Sequence, residues 1–300
     1  MRLNKILMAG FFMTAFLVAC DNDDDSGTDT IPERDRGEQE IADREALEEY
    51  LSTHFYNYED FENPSEDFDN IIRIDTINEA NADRTPLSES NLLEEITVTR
   101  DDVEYTVYVL KVREGEGEKP TFADSTFVTY RGQLLDRTLF DNAVTPVWFD
   151  LTAVVPGFSQ GVSEFRGASS FEVNPDNSVT WSDDYGIGAV FMPSGLAYFS
   201  NRQGVIPPYS PLVFTFQLFR VKQTDHDGDG IPSYMEDLND DENVANDDTD
   251  EDLYPNYIDA DDDGDFIPTR EEIIINEETG EITFPDSDND GTPDYLDDDV

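Results

Sequence analysis

The chain has 300 residues, 70 of them acidic and 18 basic, and a formal net charge of −52. That sign excludes nucleic acid and electrostatic adhesion to anionic lipid, and it calls for cations as partners. A single cysteine excludes a disulfide framework, so stability must come from a packed core or from bound metal.

Residues 1–19 read as a lipoprotein signal peptide. Arg2 and Lys5 make a positive start, and the apolar run after them is too short for a comfortable membrane span. Leu17-Val-Ala-Cys20 resembles the lipobox of bacterial lipoproteins, which implies a lipid on Cys20 and several acyl chains to hold the protein at a membrane. The location implied is the bacterial cell envelope: the outer membrane, on its periplasmic side or at the cell surface. Residues 20–40 are acidic and almost free of apolar side chains, the composition of a flexible tether. An acidic cluster after a lipidated cysteine also resembles a surface-export signal.

Residues 41–94 read as an N-terminal helix and an irregular extension. With Asp43 as its cap, Leu47, Tyr50, Leu51, His54 and Phe55 share one helical face, His54 as a packing residue. Residues 57–90 carry no periodicity that assigns them. The main domain runs from 95 to 222. Val103–Val112 is dense in β-formers and reads as its first strand. Val128, Tyr130, Gly132 and Leu134 alternate with polar neighbours, and Leu212, Phe214, Phe216 and Leu218 repeat the pattern. Between them Pro156 suits the first turn of a short helix, along which Phe158, Val162 and Phe165 recur at helical spacing. The fold class is α+β: a curved antiparallel sheet wrapped over a short helix.

Val128-Thr-Tyr-Arg-Gly132, Phe140-Asp141, Val154-Val-Pro-Gly-Phe158, Leu196-Ala-Tyr198 and Ile206-Pro-Pro208 follow one another in an order that resembles the FKBP-type peptidyl-prolyl isomerases. The resemblance implies a pocket walled by Tyr130, Phe140, Phe149, Val154, Val155, Phe158 and Phe214. Polar contacts would come from Asp141, from the Tyr198 hydroxyl and from the Ile206 backbone N–H. It also implies proline-containing polypeptides as substrates and no cofactor for catalysis. Three departures qualify it. Phe158 stands where a tryptophan commonly forms the floor, and Val147 where many members have an aromatic wall, so catalysis is expected to be weakened but not abolished. The segment between Gly167 and Gly188 is longer than usual, and its Asn174-Pro-Asp-Asn177 turn predicts a hairpin near the pocket rim.

Chemistry of this kind needs neither nucleophile nor metal. Rotation about an X-Pro bond has a barrier of about 18–20 kcal/mol. A site lowers it by seating the proline ring in an apolar cup, stripping water from the imide carbonyl and fixing the flanking peptide.

Residues 223–300 carry thirty acids and one arginine. Four segments place carboxylates at loop positions 1, 3, 5 and 12, the spacing that wraps oxygen ligands around Ca²⁺. They are Asp225, Asp227, Asp229 and Glu236; Asp248, Asp250, Asp252 and Asp259; Asp261, Asp263, Asp265 and Glu272; and Asp286, Asp288, Asp290 and Asp297. Proline at position 8 of every copy argues against EF-hand pairing, and the long-short-long spacing resembles thrombospondin type 3 repeats. Ca²⁺ would then be structural in the tail. Position 6 is glycine in two copies but Leu253 and Phe266 in the others, where altered geometry is expected. His226, outside the ligand spacing, is expected to be exposed. The domain should stand without the tail, because its strand pattern is complete at Val221.

Three functions fit this reading: a lipid-anchored prolyl isomerase acting on exported proteins, a non-catalytic proline-peptide binder or chaperone using the same groove, and a calcium-dependent structural or adhesive surface protein.

Overall fold

The computed structural model describes residues 33–300; the leader, Cys20 and the tether up to residue 32 lie outside the described residues. From Arg34 to Val300 the chain forms one unit. Among the described residues no helix is long and apolar enough to cross a membrane.

Helix α1 (Arg36–Thr53) starts earlier than its periodicity indicates, so Arg36–Glu40 are helical and not tether. The cap is Asp35, which accepts the Glu38 N–H at 2.9 Å. Asp43 lies mid-helix and buried, where it accepts the Ser194 N–H at 2.7 Å, the Ser194 hydroxyl at 2.5 Å and the Gln39 amide at 2.6 Å. Aspartate suits a cap and a buried acceptor equally well in sequence; the partner 151 residues away decides between them. Burial raises the Asp43 carboxyl, and the hydrogen bonds from Ser194 and Gln39 oppose that shift. Asp43→Ala is expected to cost about 2–3 kcal/mol, because both Ser194 donors would be left buried without an acceptor. Denaturant unfolding measures this, and an unchanged midpoint would remove the role.

Leu47, Tyr50 and Leu51 are buried, but the helix stops before His54, which opens strand β1 (His54–Tyr56). The His54 ring stacks on Tyr50 with centroids 3.8 Å apart and acts in packing. The unassigned stretch holds helix α2 (Tyr58–Glu62) and strand β2 (Ile74–Thr76), antiparallel to β1, and is anchored by buried Ile72 and Leu87.

The central strands are β3 (Leu93–Arg100), β4 (Val103–Arg113), β5 (Ser125–Leu134) and β6 (Leu139–Asp150). After helix α3 (Pro156–Val162) come β7 (Phe171–Val173), β8 (Val179–Trp181), β9 (Gly186–Met192) and β10 (Leu212–Lys222). Six of them form one antiparallel sheet in the order β3-β4-β9-β10-β5-β6. Val103–Val112 is therefore the second strand and not the first: β3 pairs with it from Leu93 opposite Leu110 to Arg100 opposite Val103. As an edge strand β3 packs only the partly buried Leu93, Ile96 and Val98 on the core clusters, which leaves a weak sequence signal.

The sheet is the middle layer. On one face Val128, Phe214, Phe216 and Leu218 meet Phe158, Val162 and Phe165 from α3 and the turn after it. On the other, Ile187, Phe191 and Val213 meet Leu47, Tyr50 and Leu51 of α1. The β7–β8 hairpin closes through Asn174–Asn177, with Asn177 at φ 65°. Its Trp181 packs on Phe127 and Phe219, on the α1 side of the sheet, so the hairpin does not stand at the pocket rim.

Candidate active site and candidate cation loops

Pro156 occupies the first turn of α3, where its fixed φ costs nothing, and the helix delivers Phe158 to the concave face of the sheet. The Phe158 ring is 1% exposed and lies 5.7 Å from Phe149, 5.1 Å from Phe214 and 5.9 Å from Phe216, centroid to centroid. Above this floor opens a cavity of about 720 Å³. Tyr130, Phe140, Asp141, Phe149, Val154, Val155, Phe158, Tyr198, Ile206 and Phe214 all line it. Gly132 is needed here: a Cβ would sit 2.5 Å from Phe140 Cε2, and its absence lets the Phe140 ring lie edge-on to Phe214 at 5.4 Å.

The polar groups gather at one side. The Tyr130 hydroxyl donates to Asp141 Oδ2 at 2.7 Å, and the Asn142 N–H donates to Oδ1 at 2.8 Å. Burial raises the Tyr130 phenol, and the Asp141 hydrogen bond and charge raise it further. Burial, then the Asp141 charge, also raises the Tyr198 phenol. Both phenols therefore stay protonated donors at neutral pH. The arrangement can seat an apolar ring and hold a peptide at its edge.

Two expected features are placed differently. The Ile206 N–H donates to the Gln203 carbonyl at 2.8 Å within a tight turn, and the Gln203 N–H returns a bond to the Ile206 carbonyl at 3.1 Å. The backbone donor assigned to substrate is thus committed internally. Val147 is 37% exposed and outside the cavity lining, because β6 bulges between its pairings with Val128 and Tyr130. The lining also includes Ala153, Ala197, Gln203, Gly204 and Val205. Sequence reasoning passed over these, since small side chains and a turn next to the Ile206 motif carry little signal.

The tail repeats one construction four times. Positions 1, 3 and 5 come together in every copy, with ligand oxygens within 4.8 Å: Asp225, Asp227 and Asp229; Asp248, Asp250 and Asp252; Asp261, Asp263 and Asp265; Asp286, Asp288 and Asp290. The position-3 carboxylate accepts the position-5 N–H and the position-5 carboxylate accepts the position-7 N–H, as with Asp227, Asp229 and Ile231 at 3.1 and 2.7 Å. Each proline starts a short helical turn, whose first residue locks the loop: Asn256 donates its N–H to the Asp247 carbonyl at 2.8 Å and accepts the Thr249 N–H at 3.0 Å. At position 12, Asp259, Glu272 and Asp297 lie outside the tight groups, and Glu236 groups with Asp229 and Asp262.

Position 6 has a positive φ in every copy, 106° at Gly230 and 108° at Gly291 but 82° at Leu253 and 78° at Phe266. The altered geometry expected of the two non-glycine loops shows as this smaller φ, and holding a side chain in the left-handed region adds strain. Leu253 and Phe266 are 87% and 93% exposed, so their side chains return little packing. Leu253→Gly and Phe266→Gly are each expected to stabilise the tail by about 1 kcal/mol by relieving a left-handed backbone. Denaturation midpoints measure this, and lower midpoints would contradict it.

The tail also seals against the main domain. The Thr224 N–H donates to Asp124 Oδ1 at 3.1 Å and Arg100 donates to Asn243 Oδ1 at 2.9 Å. His226 is not exposed as expected: its side chain is 16% accessible and its Nε2 lies 3.0 Å from Asp150 Oδ2. Asp150 in turn caps the Leu151–Ala153 turn that leads into the Val154 wall. Val221 completes the strand pattern, yet the tail braces the cavity wall from behind.

Fold and site define the class: an α+β domain holding an aromatic cup with a phenol–carboxylate pair at its edge. Comparison with known proteins specifies it further. The chain is 34% identical over 118 residues to an FKBP-type peptidyl-prolyl cis-trans isomerase, FkpA, of Aeromonas hydrophila, covering 38% of each chain. It is 31% identical over 113 residues to the outer membrane protein MIP of Legionella longbeachae, covering 36% of this chain and 41% of that one. Among solved structures it matches FkpA from Escherichia coli at 26% identity and a TM-score of 0.35, covering 45% of this chain and 54% of that one. The chain thus has homology to FKBP-type peptidyl-prolyl isomerases, and it spans less than half the length of these curated relatives. Residues 226–285 match the family model described as BamM C-terminal, over a minor part of the chain.

Proposed function

We propose that this chain is a peptidyl-prolyl cis-trans isomerase that acts on exported proteins in the bacterial cell envelope, held to a membrane by a lipid on Cys20. The observation that carries the reading is the aromatic cup over Phe158 with Tyr130, Asp141 and Tyr198 at its edge. Homology to named isomerases supports it. A proline ring would sit on Phe158 between Phe149 and Phe214, where water is excluded. The Tyr198 hydroxyl would donate to a substrate carbonyl, while Asp141, tied to Tyr130, would fix the flanking peptide. Removing water from the imide and holding its two sides favours the twisted amide over either planar form.

The four loops of the tail would hold Ca²⁺, since their carboxylates converge and no other cation is abundant in this segment. Calcium would then be a structural element of the tail and take no part in isomerisation. A proline-peptide binder without catalysis is the second reading, favoured by the internally satisfied Ile206 N–H. A prolyl-peptide isomerisation assay on the purified chain separates the two: acceleration supports the enzyme, and binding of proline peptides without acceleration supports the binder.

A further inference from the structure

Among the described residues, one group of three metal-capable carboxylates is buried throughout, and it joins the first and third loops. Asp229, Glu236 and Asp262 each offer an oxygen within 4.8 Å of the others. They are 3%, 1% and 2% exposed. Asp229 and Glu236 hold positions 5 and 12 of the first loop. Asp262 holds position 2 of the third, where the other copies have His226, Thr249 and Ser287.

Both carboxylate oxygens of Glu236, both of Asp262 and Oδ2 of Asp229 are buried with no hydrogen-bond partner among the described residues. An unpaired buried carboxylate costs several kcal/mol, and three together also repel one another. Burial, reinforced by the neighbouring carboxylates, pushes Glu236 up to about 10 and Asp262 up to about 9. The position of Asp262 is nevertheless fixed: its N–H donates at 3.1 Å to the hydroxyl of Thr269, which is itself fully buried. Burial raises the phenol of Tyr295, and the charges of Asp262, Glu236 and Asp229 raise it further. So many aimed and unpartnered oxygens lack only a counter-charge.

We propose that Asp229, Glu236 and Asp262 form a cation site shared by the first and third loops, which takes a hard divalent cation of the calcium class. The proposal rests on the reading of the tail as cation-binding and goes beyond it in two respects. Asp262 becomes a ligand that the repeat spacing does not assign, and the loops at 225–236 and 261–272 become one cooperative unit. Three carboxylates supply up to six oxygens, and Ca²⁺ accepts six to eight in flexible geometry. Mg²⁺ is a poor occupant, because it keeps several waters and the site is closed to solvent.

The test uses the full chain in detergent, stripped with a chelator and titrated with Ca²⁺ by calorimetry. Asp262→Asn is expected to weaken the tightest class of binding by roughly tenfold or more. Glu278→Gln, which removes an exposed acid of the tail outside all four loops, should leave binding unchanged. Thermal unfolding of the tail supplies a second readout with a change of sign. In chelator, Asp262→Asn should raise the midpoint, because it removes a buried carboxyl that must either repel its neighbours or take up a proton on folding, and in millimolar Ca²⁺ it should lower it. A variant that merely folds badly would lower both. Wild-type affinity in Asp262→Asn, or the same sign of shift in both buffers, overturns the shared site while leaving cation binding by the individual loops intact. Failure of the wild type to bind Ca²⁺ at all overturns both readings.

Discussion

Asp141→Ala is expected to lower kcat/KM for prolyl isomerisation by roughly 10- to 100-fold, the equivalent of one charge-assisted hydrogen bond in the rate-limiting barrier. The carboxylate sits at the edge of the cup, held by the Tyr130 hydroxyl at 2.7 Å and the Asn142 N–H at 2.8 Å. Its loss frees Tyr130 but opens no cavity in the core, so the unfolding midpoint should hardly move. Tyr198→Phe should give a smaller loss in the same direction, since it removes one neutral donor and keeps the ring. Phe158→Ala would be a poor probe, because truncating a buried phenylalanine costs about 3–5 kcal/mol and would unfold the site along with its chemistry. A tight binder whose Asp141→Ala variant loses affinity, in a wild type that accelerates nothing, would replace the enzyme by the peptide-binding reading.

Removal of divalent cations is expected to expand the tail and expose it to protease, with cleavage confined to residues 225–297 and the six-stranded sheet intact. Thirty acids against one arginine repel without counter-ions, so cation binding becomes folding energy. Extracellular oxygen-ligand modules bind at about 10⁻⁴–10⁻³ M, and compaction should appear over that range of Ca²⁺. Magnesium should substitute poorly. Because His226 and Asn243 link the tail to Asp150 and Arg100, chelation should also loosen the turn behind Val154, seen as a modest fall in isomerase activity. A scattering radius and cleavage pattern that ignore millimolar Ca²⁺ would reduce the tail to an acidic spacer.

The sequence by itself determined what repeats and what alternates. The period-2 faces of β5 and β10 and the Pro156 helix start are local properties, written in side-chain order, and the ten residues carried over from the family resemblance line one cavity. The four acidic loops were legible for the same reason, since a tight loop brings positions 1, 3 and 5 together with no help from the rest of the chain. Only the tertiary structure decided the roles set by distant partners. Asp43 changed from a cap to a buried acceptor because Ser194 reaches it. Strand β3 was hidden because an edge strand buries little, and the Ile206 N–H was claimed by a turn that no motif records. Asp262 belongs to the same class: at position 2 it looks like one more solvated acid, and its burial beside Glu236 follows from how one loop packs on another. Local pattern fixes which face a side chain presents, whereas the free energy of burying a charge depends on what the rest of the fold brings to meet it.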